Sequence, residues 1–289
     1  MTQIQATYID HMGSDLSVVN AARVSFGKKS FGESIEYDLF HDDPEVIKAS
    51  VAKYKAEGWV VTSDVDDWKL TISKPTMGDT KLIKYLAKHK HISPFGHAFT
   101  SFHIKAPIFV ARQLVKHKFL RWNEISRRYV DDEPEFYVPQ TWRGRSADKK
   151  QGSDGVLELD KMYSHAPYEH IKDVFQAEPE KYGEYKDSLV PDLSLLNQVH
   201  ECDEYVIAIY RKLIEAGVAP EQARMVLPQS TMTEWYWSGS LDAFADMCNL
   251  RCKEDTQYET RLVADQVSTI MQDLFPVSWA ALMEGQGDA

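Results

Sequence analysis

Apolar residues recur at every third or fourth position in several segments, the spacing of an amphipathic helix. The longest run predicts a helix closed by Gly217, with an apolar stripe of Leu195, Val199, Cys202, Val206, Ile209 and Leu213. Further helices are predicted from about Leu241 and from about Gln257 to Leu274. Asp79 is predicted to N-cap another helix, whose apolar face holds Leu82, Ile83 and Leu86.

Two segments have the pattern of strands. Apolar alternation predicts a strand that stops before Pro107 and contains Ala98, Thr100, Phe102 and Ile104. Residues 229–237 are rich in Thr and Trp, which favour strands. Pro107 is predicted to begin a helix that runs to Val115, and Pro220 a short helix that carries Arg224. Residues 91–97 are predicted to form a turn.

The remaining stretches are polar and interrupted by Gly and Pro. Residues 27–75 are predicted to be an irregular surface segment, and residues 143–155 a solvated loop. Helices and strands alternate without regular βαβ order, so we expect an α+β fold. We expect one mixed helix and sheet domain over residues 1–289, with insertions at about 27–76 and 141–190.

The bulk composition restricts the classes of function. The chain has 289 residues, 43% of them apolar, and a formal net charge of −11. This charge opposes general binding to nucleic acids or anionic membranes. The N-terminus lacks the pattern of a signal peptide, and no apolar run is long enough to span a bilayer, so we expect a cytoplasmic protein.

The segment Arg112–Tyr129, called here the cationic segment, contrasts with this acidic background. It holds one carboxylate, Glu124, and six basic residues, Arg112, Lys116, Lys118, Arg121, Arg127 and Arg128. Such density indicates a phosphate or anionic-cofactor site. Cations around Glu124 favour its ionised form, which suits a hydrogen-bond acceptor. Ser126 lacks an ordered His and acid for nucleophilic catalysis, and a phosphate contact is the preferred interpretation.

Two more arginines interrupt apolar patterns. Arg251 lies on the apolar helix stripe of Phe244, Met247 and Cys248, and a buried cation requires an anion or hydrogen-bond acceptors. The alternatives are that Arg251 extends to solvent at the helix end or pairs with Glu254 or Asp255. Arg224 presents the same choice. No metal site is expected from the histidines at 89, 91, 97 and 103 or from the cysteines, because neither group has ligand spacing.

Six motifs in order resemble the flavin-dependent thymidylate synthases. The signature of that family, Arg-His-Arg followed after seven residues by Ser-x-Arg, is present as Lys116-His117-Lys118 and Ser126-Arg127-Arg128. Similar blocks occur at 21–25, 91–97, 102–107, 223–228 and 249–251. Together they cover most of the chain outside the two insertions.

The resemblance implies a homotetramer with FAD bound between subunits. It further implies reductive methylation of dUMP to dTMP, with methylenetetrahydrofolate as carbon donor, NADPH as reductant and FAD as hydride carrier. No cysteine nucleophile is expected, and Arg251 is the expected catalytic residue, which favours the N3-ionised uracil.

The remaining site residues are carried over by position. The expected dUMP contacts are Gln113, Leu114, Val115, Lys116, Glu124, Ile125, Ser126, Arg127, Arg128, Arg224 and Arg251. The expected FAD contacts are His91, Ser93, Lys116, His117, Lys118, Glu124, Ser240 and Asp246.

The chain departs from the family pattern at specific positions. Lysines replace both signature arginines, which keeps the charge but removes the planar guanidinium fork. Gly96 stands where an acidic residue is common, and Asp242 and Asp246 lie where Arg and Asn are often seen. Two alternatives stay open: a non-catalytic nucleotide-binding relative with weak flavin affinity, and a nucleic-acid-binding protein, which the net charge disfavours.

Overall fold

The computed structural model describes residues 3–57, 59–64, 69–146, 153–161 and 194–284. The chain divides into two units, Gln3–Glu124 with Thr233–Ala289, and Ile125–Met232. No helix in the described ranges is long and apolar enough to cross a membrane.

The strands lie mostly in the first unit. In chain order they are β1 (Gln5–Met12), β2 (Glu33–Asp38), β3 (Val60–Asp64), β4 (Lys69–Lys74), β5 (Phe99–Pro107), β6 (Arg121–Glu124), β7 (Trp142–Arg145), β8 (Ser153–Leu157) and β9 (Met232–Ser240). The helices are α1 (Asp15–Arg23), α2 (Pro44–Ala56), α3 (Met77–Lys88), α4 (Ile108–Leu114), α5 (Leu195–Glu215), α6 (Pro220–Ala223), α7 (Leu241–Arg251), α8 (Tyr258–Leu274) and α9 (Pro276–Glu284).

A four-stranded sheet in the order β1-β5-β9-β6 carries the first unit. Aromatic side chains of its buried face contact Phe244 of α7: the ring of Phe102 lies 5.1 Å and the ring of Trp237 lies 5.5 Å from that of Phe244. The strand predicted from the alternating pattern at 98–104 is confirmed as β5, although it extends through Pro107. The Thr and Trp pattern also marked a real strand, but β9 begins three residues later than predicted.

The long helical patterns are confirmed. α5 covers the predicted stripe, and Gly217 follows it with φ +81°, a conformation that favours glycine. α7 and α8 begin close to the predicted positions. α9 was not predicted from the sequence. It is a largely apolar helix without a polar stripe, and its Trp279 and Leu282 are buried.

The prediction that Asp79 N-caps α3 was wrong. Thr76 is the N-cap, and Asp79 lies three residues later as its partner in a capping box. The Asp79 carboxylate is fully buried and accepts from Arg23 Nη2 at 2.7 Å, Ser30 Oγ at 2.6 Å and Thr76 Oγ1 at 2.7 Å. It therefore ties α1 and α3 to both ends of the first insertion-like segment.

That first segment was wrongly predicted to be irregular. It forms a three-stranded antiparallel sheet in the order β2-β4-β3, together with α2. Ile72 is fully buried, and the ammonium of Lys74 lies 4.5 Å from the ring centre of Trp59. The strands are short and carry cross-strand charge pairs such as Lys74 and Glu33, 3.4 Å apart, which concealed their alternation.

The predicted loop at 143–155 was also wrong in its described part. β7 and β8 pair antiparallel there, and Arg143 Nε donates to Ser153 Oγ at 2.9 Å. β8 is exposed along its whole length and β7 has no fully buried residue, so the two strands show little of the apolar alternation that marks a buried strand. Residues 147–152 and 162–193, the greater part of the second predicted insertion, lie outside the described residues. The single-domain prediction stays untested.

Candidate active site

The turn after α4 presents two lysines to solvent. Lys116 and Lys118 are exposed, and within the described ranges neither ammonium group has a carboxylate partner. The strand β6 then begins at Arg121. These two cations are therefore available to an anionic ligand.

His117, between the two lysines, turns inward and contacts Arg251 at the end of α7. Arg251 Nε donates to His117 Nε2 at 3.3 Å. Burial, and secondarily the charge of Arg251, lower the pKa of His117 to about 4. The imidazole is neutral at pH 7, so a single positive charge occupies this contact.

Arg251 itself is half-buried, and burial lowers its pKa from the ordinary value of an arginine, which still leaves it charged. Among the described residues it makes no ion pair with Glu254 or Asp255, the pairing considered from the sequence. Because Nε is committed to His117, the two terminal nitrogens of the guanidinium fork point elsewhere. Those nitrogens suit a planar acceptor.

Glu124 on β6 is held as an acceptor. Thr233 Oγ1 donates to one carboxylate oxygen at 2.9 Å, and Trp122 Nε1 donates to the other at 3.1 Å. Arg112 Nη1 lies 3.7 Å from the second oxygen. Neither Thr233 nor Trp122 was predicted as a partner of Glu124. The antiparallel pairing of β6 with β9 brings Thr233 to the carboxylate, and Trp122 lies two residues before Glu124 on β6 itself.

Gln113 on α4 meets α8. Its amide nitrogen donates to Gln257 Oε1, and its amide oxygen accepts from Thr260 Oγ1 at 3.2 Å. Leu114 is fully buried in the core, whereas the side chain of Val115 is half-buried.

The predicted flavin contacts on other elements are polar and accessible. His91 and Ser93 are exposed at a short 3₁₀ helix. Ser240 is the N-cap of α7, yet its side chain makes no capping hydrogen bond. Burial, with the nearby Asp242 charge second, raises the pKa of Asp246.

The second unit holds the other predicted dUMP contacts. Arg127 Nη1 donates to the carbonyl of Asp132 at 2.7 Å, so this guanidinium is partly engaged in its own loop. The backbone N–H of Arg128 donates to Ser126 Oγ at 3.3 Å. Ile125 is 46% exposed, and Arg224 lies exposed with its Nε donating to the carbonyl of Glu221.

Comparison with known proteins decides the family. The family model described as Thy1, thymidylate synthase complementing protein, matches residues 7–277. A flavin-dependent thymidylate synthase of Thermus thermophilus is 33% identical over 276 residues, covering 96% of this chain and 74% of the relative. The chain belongs to the flavin-dependent thymidylate synthase family. Its predicted enzyme class, thymidylate synthase (FAD), a methyltransferase, is thereby confirmed.

Other relatives agree. A flavin-dependent thymidylate synthase of Thermosipho melanesiensis is 30% identical, covering 96% of this chain and 89% of the relative. A solved UMP/dUMP methylase PolB from Streptomyces cacaoi, bound with 5-Br UMP, superposes with a TM-score of 0.64 at 23% identity. It covers 99% of this chain and 96% of that one, which confirms the predicted α+β fold.

Proposed function

We propose that this member of the flavin-dependent thymidylate synthase family methylates dUMP reductively to dTMP. Methylenetetrahydrofolate is the proposed carbon donor and NADPH the proposed reductant. The observation that carries the proposal is the contact of Arg251 with His117, which holds one half-buried guanidinium beside a neutral imidazole. The names of the relatives, and of a structural neighbour that binds a uridylate analogue, support the same substrate class.

The residues fit the flavin of the proposed reaction in two respects. Lys116 and Lys118 are exposed cations without a described carboxylate partner, and they suit an anionic diphosphate. The buried Oδ1 of Asp242 has no described donor, and a carboxylate accepts well from the hydroxyl groups of a flavin nucleotide. Ser240 provides a further hydroxyl at the same end of α7.

When bound, FAD supplies the hydride chemistry. The protein's own part is to bind and polarise dUMP. The charge of Arg251 stabilises negative charge on the uracil ring, which raises nucleophilicity at C5. Since His117 is neutral, it adds no second cation that would compete for the ring, and its bond to Nε leaves the terminal nitrogens of Arg251 for the substrate.

The buried Cys248 is poorly suited to act as a nucleophile. Cys248 is fully buried, and burial, together with the hydrogen bond to Cys252, raises the pKa of its thiol. A thiol held protonated is a poor nucleophile.

Glu124 is proposed to accept hydrogen bonds from both flavin and dUMP. Ser126 and Arg128 are proposed to bind the phosphate of the nucleotide.

The proposed assembly is a homotetramer in the cytoplasm. Large apolar side chains are open to solvent in the single chain: Phe26 is 79%, Phe31 78% and Phe119 83% exposed. Burial of such side chains between subunits is favourable. Light scattering of the purified protein is expected to give four times the chain mass of 33.1 kDa.

The decisive experiment combines a spectrum with a product assay. Purified protein is expected to show flavin absorbance and to oxidise NADPH only when dUMP and methylenetetrahydrofolate are both present, with dTMP as product. Reactions lacking dUMP are the control. A colourless protein that binds dUMP but forms no dTMP after addition of FAD would contradict the proposal and favour the non-catalytic relative.

A further inference from the structure

A chain of side-chain hydrogen bonds runs from the buried Glu259 to Gln113. Glu259 is only 4% exposed and accepts from Gln257 Nε2 at 3.2 Å. Gln257 Oε1 accepts in turn from Gln113 Nε2. The hydroxyl of Thr260 donates to the amide oxygen of Gln113 at 3.2 Å. Both ends of the Gln113 amide are therefore engaged by residues at the start of α8.

This chain has a fixed direction. The carboxylate oxygen of Glu259 accepts from the NH₂ group of Gln257. The carbonyl oxygen of Gln257 then faces Gln113 and accepts a hydrogen bond from the NH₂ group of Gln113. A reversed Gln257 amide would place its oxygen against the Glu259 carboxylate, and two acceptors repel each other.

We propose that Glu259 and Gln257 are positioning residues that hold the Gln113 amide in the one orientation that binds the substrate nucleotide. The inference rests on the proposed function, in which Gln113 contacts dUMP. One N–H and one lone pair of the Gln113 amide remain for the ligand. Phosphate oxygens and uracil carbonyls accept hydrogen bonds, so an amide turned end for end would set its own oxygen against an acceptor of the nucleotide.

The test replaces Gln257 by methionine, which has a similar length and no amide. Gln257→Met is expected to raise the KM for dUMP about tenfold, which corresponds to ~1.4 kcal/mol. The kcat is expected to change by less than about twofold, because the lost contact binds substrate and transition state alike. The KM for NADPH is expected to stay unchanged. Glu259→Gln, in which the new amide both donates and accepts, is expected to raise the dUMP KM by a smaller factor.

A matched control lies on the same helix. Gln266 accepts from the backbone N–H of Ala6 at 2.9 Å and donates to the carbonyl of Ile4 at 3.3 Å. Gln266→Met makes the same chemical change without touching the Gln113 chain. It is expected to lower the Tm and leave the dUMP KM at the wild-type value.

A double variant separates positioning from any other route. If Gln257 acts through Gln113, then Gln113→Met combined with Gln257→Met has the same dUMP KM as Gln113→Met alone. The inference would be overturned if the dUMP KM of the double variant rose by the product of the fold-changes of the two single variants. A wild-type dUMP KM in Gln257→Met, or equal weakening of dUMP and NADPH binding together with a lowered Tm, would also overturn it.

Calorimetry of dUMP binding to the same variants keeps the inference separate from the proposed reaction. If the wild-type protein forms no dTMP but binds dUMP, the proposed function fails and the Kd ratios of the variants still decide the role of Gln257. Weaker dUMP binding in Gln257→Met but not in Gln266→Met supports positioning. Wild-type protein that binds no dUMP overturns both.

Discussion

Arg251 and His117 share one hydrogen bond, from Nε of the arginine to Nε2 of the histidine at 3.3 Å. Because Nε2 accepts, the proton of the neutral imidazole resides on Nδ1. The bond also restricts rotation of the guanidinium plane about its own axis. An arginine held this way presents its terminal nitrogens in one direction before any ligand arrives.

Removal of this guanidinium is expected to abolish most turnover. Arg251→Ala should lower kcat by about 10²-fold or more, the usual effect of losing one preorganised charge-stabilising donor. Arg261→Ala is the control, since Arg261 on α8 is also a cation near the α7 end and donates to the carbonyl of Glu254. Steady-state dTMP formation measures both. Near-normal activity of Arg251→Ala would remove Arg251 from the mechanism.

His117 is expected to contribute to the pH dependence of stability. Its pKa is about 4 in the folded chain, against an ordinary 6.5, so the unfolded chain binds more protons between these values. This contribution to the free energy of unfolding is therefore constant above pH 6.5 and declines as pH falls toward 4. Urea unfolding of wild type and His117→Gln at several pH values measures the difference, since glutamine keeps an acceptor for Arg251 but does not titrate. Parallel pH curves for the two proteins would contradict the assignment.

Replacement of the two signature lysines by arginine is expected to preserve or increase the affinity for flavin. Lys116→Arg and Lys118→Arg keep the charge and restore a planar fork that suits phosphate oxygens. Fluorescence titration with FAD measures the Kd, and Lys84→Arg on the exposed side of α3 is the control. A loss of flavin affinity in the signature variants alone would mean that the turn after α4 is built around lysine.

Valine substitution at two buried threonines of the central sheet is expected to have different effects on the free energy of unfolding. Thr233→Val removes the donor to the Glu124 carboxylate and should destabilise the chain by about 1.5–3 kcal/mol. Thr100→Val should be neutral or stabilising, because the buried Thr100 hydroxyl has no described hydrogen-bond partner. Urea unfolding compares them, and an FAD titration of Thr233→Val reports whether Glu124 keeps its position. Equal destabilisation by the two substitutions would show that the bond to Glu124 adds nothing.

Regular spacing of apolar residues predicted β5 and α5 from the sequence. Phe102 and Ile104 alternate along β5, and the stripe of α5 repeats from Leu195 to Leu213, so periodicity alone located both. The small sheet at 33–74 was missed because its strands are short and charged residues pair across it. α9 was missed because a largely apolar helix has no polar side to set its period.

The sequence motifs identified the candidate site residues but not the hydrogen-bond partners that position their side chains. Thr233 lies far beyond Glu124 in the sequence, and Gln257 lies farther still beyond Gln113, so no local pattern connects them. Only the pairing of β6 with β9 and the packing of α4 against α8 bring these groups together. Which of the predicted residues contact dUMP or FAD stays a prediction that the variants above test.

The buried Asp79 has a consequence for protein engineering. Ser30 and Thr76 both donate to its Oδ2. The segment between them, which contains the small sheet, therefore begins and ends beside the same carboxylate oxygen. A module whose ends meet in this way is a candidate for transplantation: a short linker between residues 30 and 76 would bypass β2, α2, β3 and β4 while α1 and α3 keep their shared carboxylate. The same junction offers a place to graft a foreign domain into the chain.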